Sequence, residues 1–212
     1  VARWGPTQVD AEALAPAPGN DVWVGDIGDN SWSRGSVTVT RISPRGGPAT
    51  TYTLRYPKGE AADAEALLTD PAGGALHVVT KGLRGGRVYA APDPLDPDGP
   101  NRLRAVARVT PLITDGAVLP DGRHAVLRDY GRAFVYTFPD FRRLGGFSLP
   151  RQRQGEGLAA AADGSLYISS EGARTAVVRI TVPRGLREEM RDAPDPEGPT
   201  GPAVGPQTSG DS

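Results

Sequence analysis

Acidic residues recur at one place in a repeated pattern. The strings DAEAL at 10–14, DAEAL at 63–67, TDGAV at 114–118 and QGEGL at 154–158 are equivalent, and their third positions are Glu12, Glu65, Gly116 and Glu156. Residues two apart in a strand share a side, so Asp10 can act with Glu12 and Asp63 with Glu65. Several carboxylates converging on one small space are costly unless a cation or a proton is shared between them. Oxygen-only ligands suit calcium or magnesium rather than zinc, and the candidate metal set is Asp10, Glu12, Asp63, Glu65 and Glu156. Glu65 and Glu156 are the candidates for acid–base catalysis, with a carboxylate serving as base beside a metal that polarises a substrate or activates water. The competing role is structural, with the acids bonding N–H groups or hydroxyls of a neighbouring repeat.

A second polar segment follows each acidic string. GDIGDN (25–30), TKG (80–82), RDYG (128–131) and SSEG (169–172) supply the candidate ligand-binding residues Asp26, Asp29, Asn30, Lys81, Arg128 and Glu171. Lys81 and Arg128 have the chemistry to neutralise a phosphate oxygen. The 25–30 segment reads equally as a calcium loop or as a tight turn capped by Asp and Asn.

Other chemistries lack support. There is no cysteine, and only His77 and His124 are available, which leaves zinc unsupported. His77 sits in an apolar run and His124 after a turn, places typical of structural histidines. Ser31, Ser33, Ser169 and Ser170 lie in no Gly-x-Ser-x-Gly elbow. A formal net charge of −1 and the lack of a basic stripe argue against nucleic acid. No apolar run is long enough to span a bilayer.

The elements that must position these residues are strands. Each acidic string is followed by a Pro, Gly or Asp turn and then an apolar run: VWV at 22–24, LHVV at 76–79, AVL at 125–127 and LYI at 166–168. Asp121-Gly122 and Asp163-Gly164 are strong hairpin turns. Spacings of 53, 51 and 40 residues between equivalent positions, all built from strand-like pieces, predict propeller blades.

The predicted fold is all-β, a WD40-like β-propeller of four-stranded antiparallel blades. Its strands are expected at 10–15, 21–26, 36–43 and 49–56; at 62–68, 75–80, 87–91 and 102–109; at 113–119, 123–129, 132–138 and 141–149; and at 156–162, 165–170 and 175–182. A loop at 92–101 interrupts the second blade. The last blade lacks an outer strand, and the first residues, around Trp4, are the natural segment to complete it. The propeller domain is set at 1–183. Residues 184–212 form a Pro/Gly-rich tail, with one or two helical turns at 186–192 and disorder from 193 onward.

The strings VWVGDIGDN, DAEALLTDP with TKG, LPDGR with RDYG and QGEGLA with SSEG resemble an uncharacterised group of bacterial, mostly actinobacterial, propeller-like proteins that are often secreted. They are more distantly similar to phytase-like and esterase-like propellers. The resemblance covers residues 9–172. It implies an extracellular or cell-envelope location, although no signal peptide is present. Members of the group carry a further segment before the first repeat, which implies a shortened start and a ring of five or six blades. The lack of an initiator Met points the same way, to a processed product or a fragment. Val9, Asp10, Ala11 and Glu12 stand where the group has Asp-Trp-Glu-Asp, so an aromatic and an acid are missing.

Three functions fit this pattern. The first is binding of a divalent metal or small-molecule ligand at an acidic channel mouth by a monomer. The second is a metal-dependent, phytase-like hydrolase of phosphoesters or other esters. The third is a protein-interaction scaffold, for which Arg151 and Arg153 suit a rim contact.

Overall fold

The computed structural model describes residues 7–70 and 74–195. Among these, four sheets are arranged as a four-bladed β-propeller. The first blade comprises β1 (Ala11–Ala17), β2 (Asp21–Asp26), β3 (Val37–Ile42) and β4 (Thr50–Arg55); the second begins with β5 (Ala64–Thr69), β6 (Leu76–Thr80) and β7 (Gly86–Ala90). A three-residue strand, β8 (Pro100–Arg102), lies between β7 and β9 (Arg104–Val109), the outer strand of the second blade. The third blade is β10 (Asp115–Val118), β11 (His124–Arg128), β12 (Arg132–Thr137) and β13 (Arg143–Ser148), and the fourth is β14 (Gly155–Ala160), β15 (Leu166–Ser170) and β16 (Val178–Ile180). Each blade is an antiparallel meander with β1, β5, β10 and β14 innermost.

Period-2 side-chain alternation builds the core. Leu67 and Val78 pack toward the first blade with Trp23, Val39 and Leu54, whereas Leu68 and Val79 pack toward the third with Leu127 and Phe134. In the third blade Leu127 faces the second, and Val126 faces Leu158, Leu166 and Ile168 of the fourth. The inner blades are buried on both faces, so β5, β6 and β11 are buried throughout. The first and fourth blades bury one face well and leave the other open. In β1, Ala13 and Ala15 are buried while Leu14 is 67% exposed.

Turn chemistry acts where expected. Gly122 and Gly164 have positive φ (66° and 79°), which glycine tolerates without strain. Asp121 accepts the N–H groups of Arg123 and His124, and Asp163 accepts that of Ser165. His124 Nδ1 also lies 2.8 Å from Asp121 Oδ2. His77 packs against the Phe138 and Phe141 rings, and burial pushes its pKa down to about 4, so it is neutral across the physiological range.

The segment 92–101, expected as loop, ends in a strand. β8 pairs in parallel with β4, Thr53 opposite Pro100 and Arg55 opposite Arg102. Pro100 is tolerated because it sits at the start of an edge strand. Buried Asn101 replaces missing ladder bonds, its Nδ2 donating to the Thr53 and Asp96 carbonyls at 3.1 and 2.9 Å and its Oδ1 accepting from Asp96 N–H. β8 thereby covers the outer edge of the first blade.

The helical turns expected at 186–192 are present as α1 (Arg184–Asp192), whose Met190 and Leu186 pack on the third hydrophobic cluster. Arg123 Nη2 donates to the Ala193 carbonyl at 3.1 Å. The helix thus packs with the last two blades, although it follows the boundary set at residue 183. The proposed ring closure by the first residues, around Trp4, and the tail from 196 onward lie outside the described residues.

Candidate functional site: an acidic mouth built on three bulges

The inner strands do not run evenly. Ala11 pairs with Asp26 but Ala13 pairs with Gly25, so Glu12 is an extra residue in β1. The same one-residue shift leaves Glu65 extra between Ala64 and Ala66, and Glu156 extra between Gly155 and Gly157. A β-bulge re-aims its side chain and sharpens the local twist. Three blades therefore carry the same device at the same height, each displaying a glutamate. The third blade has no bulge: Asp115 faces Arg128 and Gly116 faces Leu127 in unbroken register. A Cβ on Gly116 would collide with the Leu127 side chain and crowd the Val126 carbonyl, which accounts for the missing acid there.

The neighbouring aspartates have a different task. Asp63 Oδ1 accepts Asp29 N–H at 2.9 Å, tying the second blade to the first. Asp115 accepts Leu158 N–H at 2.6 Å and Gly116 N–H at 2.7 Å, tying the third blade to the fourth. Asp26 accepts the Val9 and Asp10 N–H groups, both at 2.9 Å, and pairs with Arg34 at 2.9 Å. Asp29 accepts the Ser33 and Arg34 N–H groups and the Ser31 hydroxyl. Burial raises the Asp29 pKa, but these donors and the Arg34 charge outweigh it and leave the pKa below its ordinary value. Within the 25–30 loop both carboxylates thus serve as caps and clasps. Gly28 is required because a Cβ there would lie 2.5 Å from Asp10 Oδ2 and 2.8 Å from Glu12 Cγ.

The glutamates act on one another. Burial, then the Glu65 charge, then a hydrogen bond with Asp10 push the Glu12 pKa up to about 8, with the Asp10 and Asp63 charges adding to the shift. Burial likewise raises Glu65, opposed by Lys81 and reinforced by Asp63 and Glu156. Lys81 Nζ lies 2.8 Å from Glu65 Oε1 and 5.6 Å from the Tyr130 ring centroid. Burial disfavours the ammonium, but Glu65 and Tyr130 outweigh it and raise the Lys81 pKa. Burial pushes Asp115 up to about 8, against the Leu158 and Gly116 N–H groups and the Arg128 charge.

Arg128 is fully buried. Its guanidinium donates to the carbonyls of Gly157 at 3.0 Å and Asp129 at 3.1 Å, linking the third blade to the fourth. Asn30 is exposed and reaches Asp10 at 3.4 Å. Glu171 is exposed at the cleft wall, and Gln154 Nε2 donates to Glu156 at 3.1 Å. The structure therefore brings Asp10, Glu12, Asp63, Glu65 and Glu156 to one mouth, with Lys81 and Glu171 at its border and Asp26, Asp29 and Arg128 beneath it as framework. Among the described residues, no group of three or more His, Asp or Glu side chains is arranged to hold a metal ion.

A cleft of about 640 Å³ opens from the mouth between the first and fourth blades. Glu12, Asp115, Glu156 and Glu171 form its acidic part, and Leu14, Leu158, Tyr167 and Val177 its apolar part. Several of these residues had no signal as site residues. Leu14, Tyr167 and Val177 look like ordinary strand residues, and only the open faces of the end blades turn them into a binding wall. Tyr130 and Arg34 likewise emerge only from the folded loops.

No family model and no curated protein sequence matches the chain. Solved structures do. The chain aligns with a "putative 6-phosphogluconolactonase" of Bacteroides uniformis (TM-score 0.51, 14% identity, 81% of this chain and 52% of that one). It aligns with Kuenenia stuttgartiensis hydrazine synthase (0.51, 13%, 85% and 49%) and with a protein of unknown function from Bacteroides caccae (0.52, 14%, 84% and 65%). The chain thus spans about half to two thirds of the length of these proteins. At such identities the likeness is one of fold, and the chain is a β-propeller.

Proposed function

We propose that the protein binds a small cationic ligand at the acidic mouth. The observation that carries this is the threefold bulge, which brings Glu12 and Glu156 to the cleft with buried Glu65 close enough to act on both. The electrostatics support it. Lys81 is paired with Glu65, and the Arg128 guanidinium is turned onto carbonyls, so the strongest positive groups near the mouth are already engaged. An anionic phosphoester finds little to bind there, whereas a cation finds Glu156, Glu171 and a Glu12 that is ready to lose its proton. A ligand cation replaces the proton held by Glu12, and binding releases it.

A second reading is a hard divalent cation, calcium or magnesium. The crowding of Asp10, Asp63 and Glu65 charges around Glu12 favours it. The ion would draw on Glu12 and Asp10, with waters completing its shell.

Titration calorimetry of the full chain with 1,4-diaminobutane, calcium chloride and magnesium chloride tests both readings. Saturable, salt-sensitive binding of the diamine that is lost in Glu12→Gln with Glu156→Gln is expected. Binding of the metal salts alone selects the second reading. No heat with any of the three, or binding unaffected by both substitutions, overturns the mouth as a site.

A further inference from the structure

We infer that the ligand is amphipathic, an ammonium head carrying a short apolar tail that runs from the acidic mouth into the central channel. This rests on the mouth being a cation site. A second cavity shares part of the cleft's wall. That cavity, of about 130 Å³, is lined by three consecutive residues from each inner strand, among them Leu14, Leu68, Val118 and Leu158. Apart from Thr69 its lining residues are apolar or glycine. It is the lower part of the propeller channel. Leu14, Leu158 and Ala159 line both cavities and so form the wall they share.

Two features point to an apolar occupant rather than to solvent alone. Leu14 stands 67% exposed on an inner strand whose neighbours Ala13 and Ala15 are buried, and Val177 and Tyr167 across the cleft are 66% and 38% exposed. These side chains gather on the facing open surfaces of the first and fourth blades, whereas single exposed apolar residues are ordinarily scattered. Polarity also changes along the inner strands: Glu12 and Glu156 lie at the top, Leu14 and Leu158 next, and the apolar channel residues below. A cationic head satisfies the first part and methylenes the last, which is charge and polarity complementarity to a single molecule.

The test is calorimetry of the full chain against butyl-, hexyl- and octylamine, with hexanol and hexanoate as controls. Affinity is expected to rise about threefold for each added methylene until the channel is filled, then to level off. Hexanol and hexanoate are expected to bind at least tenfold more weakly than hexylamine. Leu14→Ser, at an exposed position, should flatten the chain-length series. Ala159→Phe, which adds bulk at the shared wall, should do the same. Equal affinities for all three amines, with diaminobutane still bound, overturn the tail and leave the cation site standing. Failure of every amine and of diaminobutane overturns both. Hexanoate binding as tightly as hexylamine overturns the head-group assignment.

Discussion

Lys81 Nζ sits 2.8 Å from Glu65 Oε1, with the Glu65 side chain 5% exposed. The ammonium is the counter-charge that opposes the upward pull of burial on this bulge glutamate. Lys81→Met removes it and leaves a buried carboxylate. The expected cost is about 2 kcal/mol of stability at pH 8.5, by the general penalty for an uncompensated buried charge. The cost shrinks as pH is lowered, because burial favours the protonated form of Glu65. Urea unfolding at pH 8.5 and below measures it, and Lys81→Met with Glu65→Gln should recover most of the loss.

Arg128 joins the last two blades. Arg128→Met strips the donors from the Gly157 and Asp129 carbonyls and leaves Asp115 without its neighbouring cation. A loss of about 3 kcal/mol is expected. Arg128→Lys recovers less than half, because an ammonium cannot reproduce the fork. Hydrogen exchange reads the location: amides of β14 and β15 should open sooner in Arg128→Met, while those of β5 and β6 change little.

Asp26 fixes the start of β1 through two N–H bonds and the Arg34 pair. Asp26→Ala should destabilise by about 2 kcal/mol and should also loosen Asp10 and Glu12. The second effect separates it from a merely structural change, because the Glu12 titration midpoint moves down toward its ordinary value.

The raised acids set a pH dependence with a definite sign. Glu12 titrates near 8 when folded against an ordinary 4.5, so between these values the folded chain holds the extra proton. Stability is then greatest near the lower end of that window and falls as pH rises through 8. Asp115, raised by burial, acts in the same direction. The midpoint of thermal unfolding should therefore be higher at pH 5.5 than at pH 8.5. Glu12→Gln should flatten the slope, because glutamine has no charge to uncover.

Much of this was legible in the residues. The alternation of small and apolar residues, and Asp-Gly turns at 121–122 and 163–164, placed every blade strand within a few residues of where it lies. The grouping of Glu12, Glu65 and Glu156 followed from the repeat. The bulges did not, because inserting one residue into a strand leaves no change in residue type. The nearest signal is that each bulge glutamate has Ala or Gly on both sides, which lets the strand buckle. β8 was missed because Pro100 and the Asp-rich stretch before it read as loop, and its ladder depends on the buried Asn101 side chain. The cleft was missed because Leu14 and Tyr167 satisfy strand patterning equally well on a covered face and on an open one.

The division of labour between clasping aspartates and displayed glutamates is tested most directly by the titration of one carboxyl. Carbon-detected NMR of the Glu12 side chain, with and without 1,4-diaminobutane, should show a midpoint near 8 in the free protein and a clear downward shift when the diamine is bound. A midpoint close to 4.5, unmoved by the diamine, would contradict a mouth where Glu12 exchanges its proton for a cation.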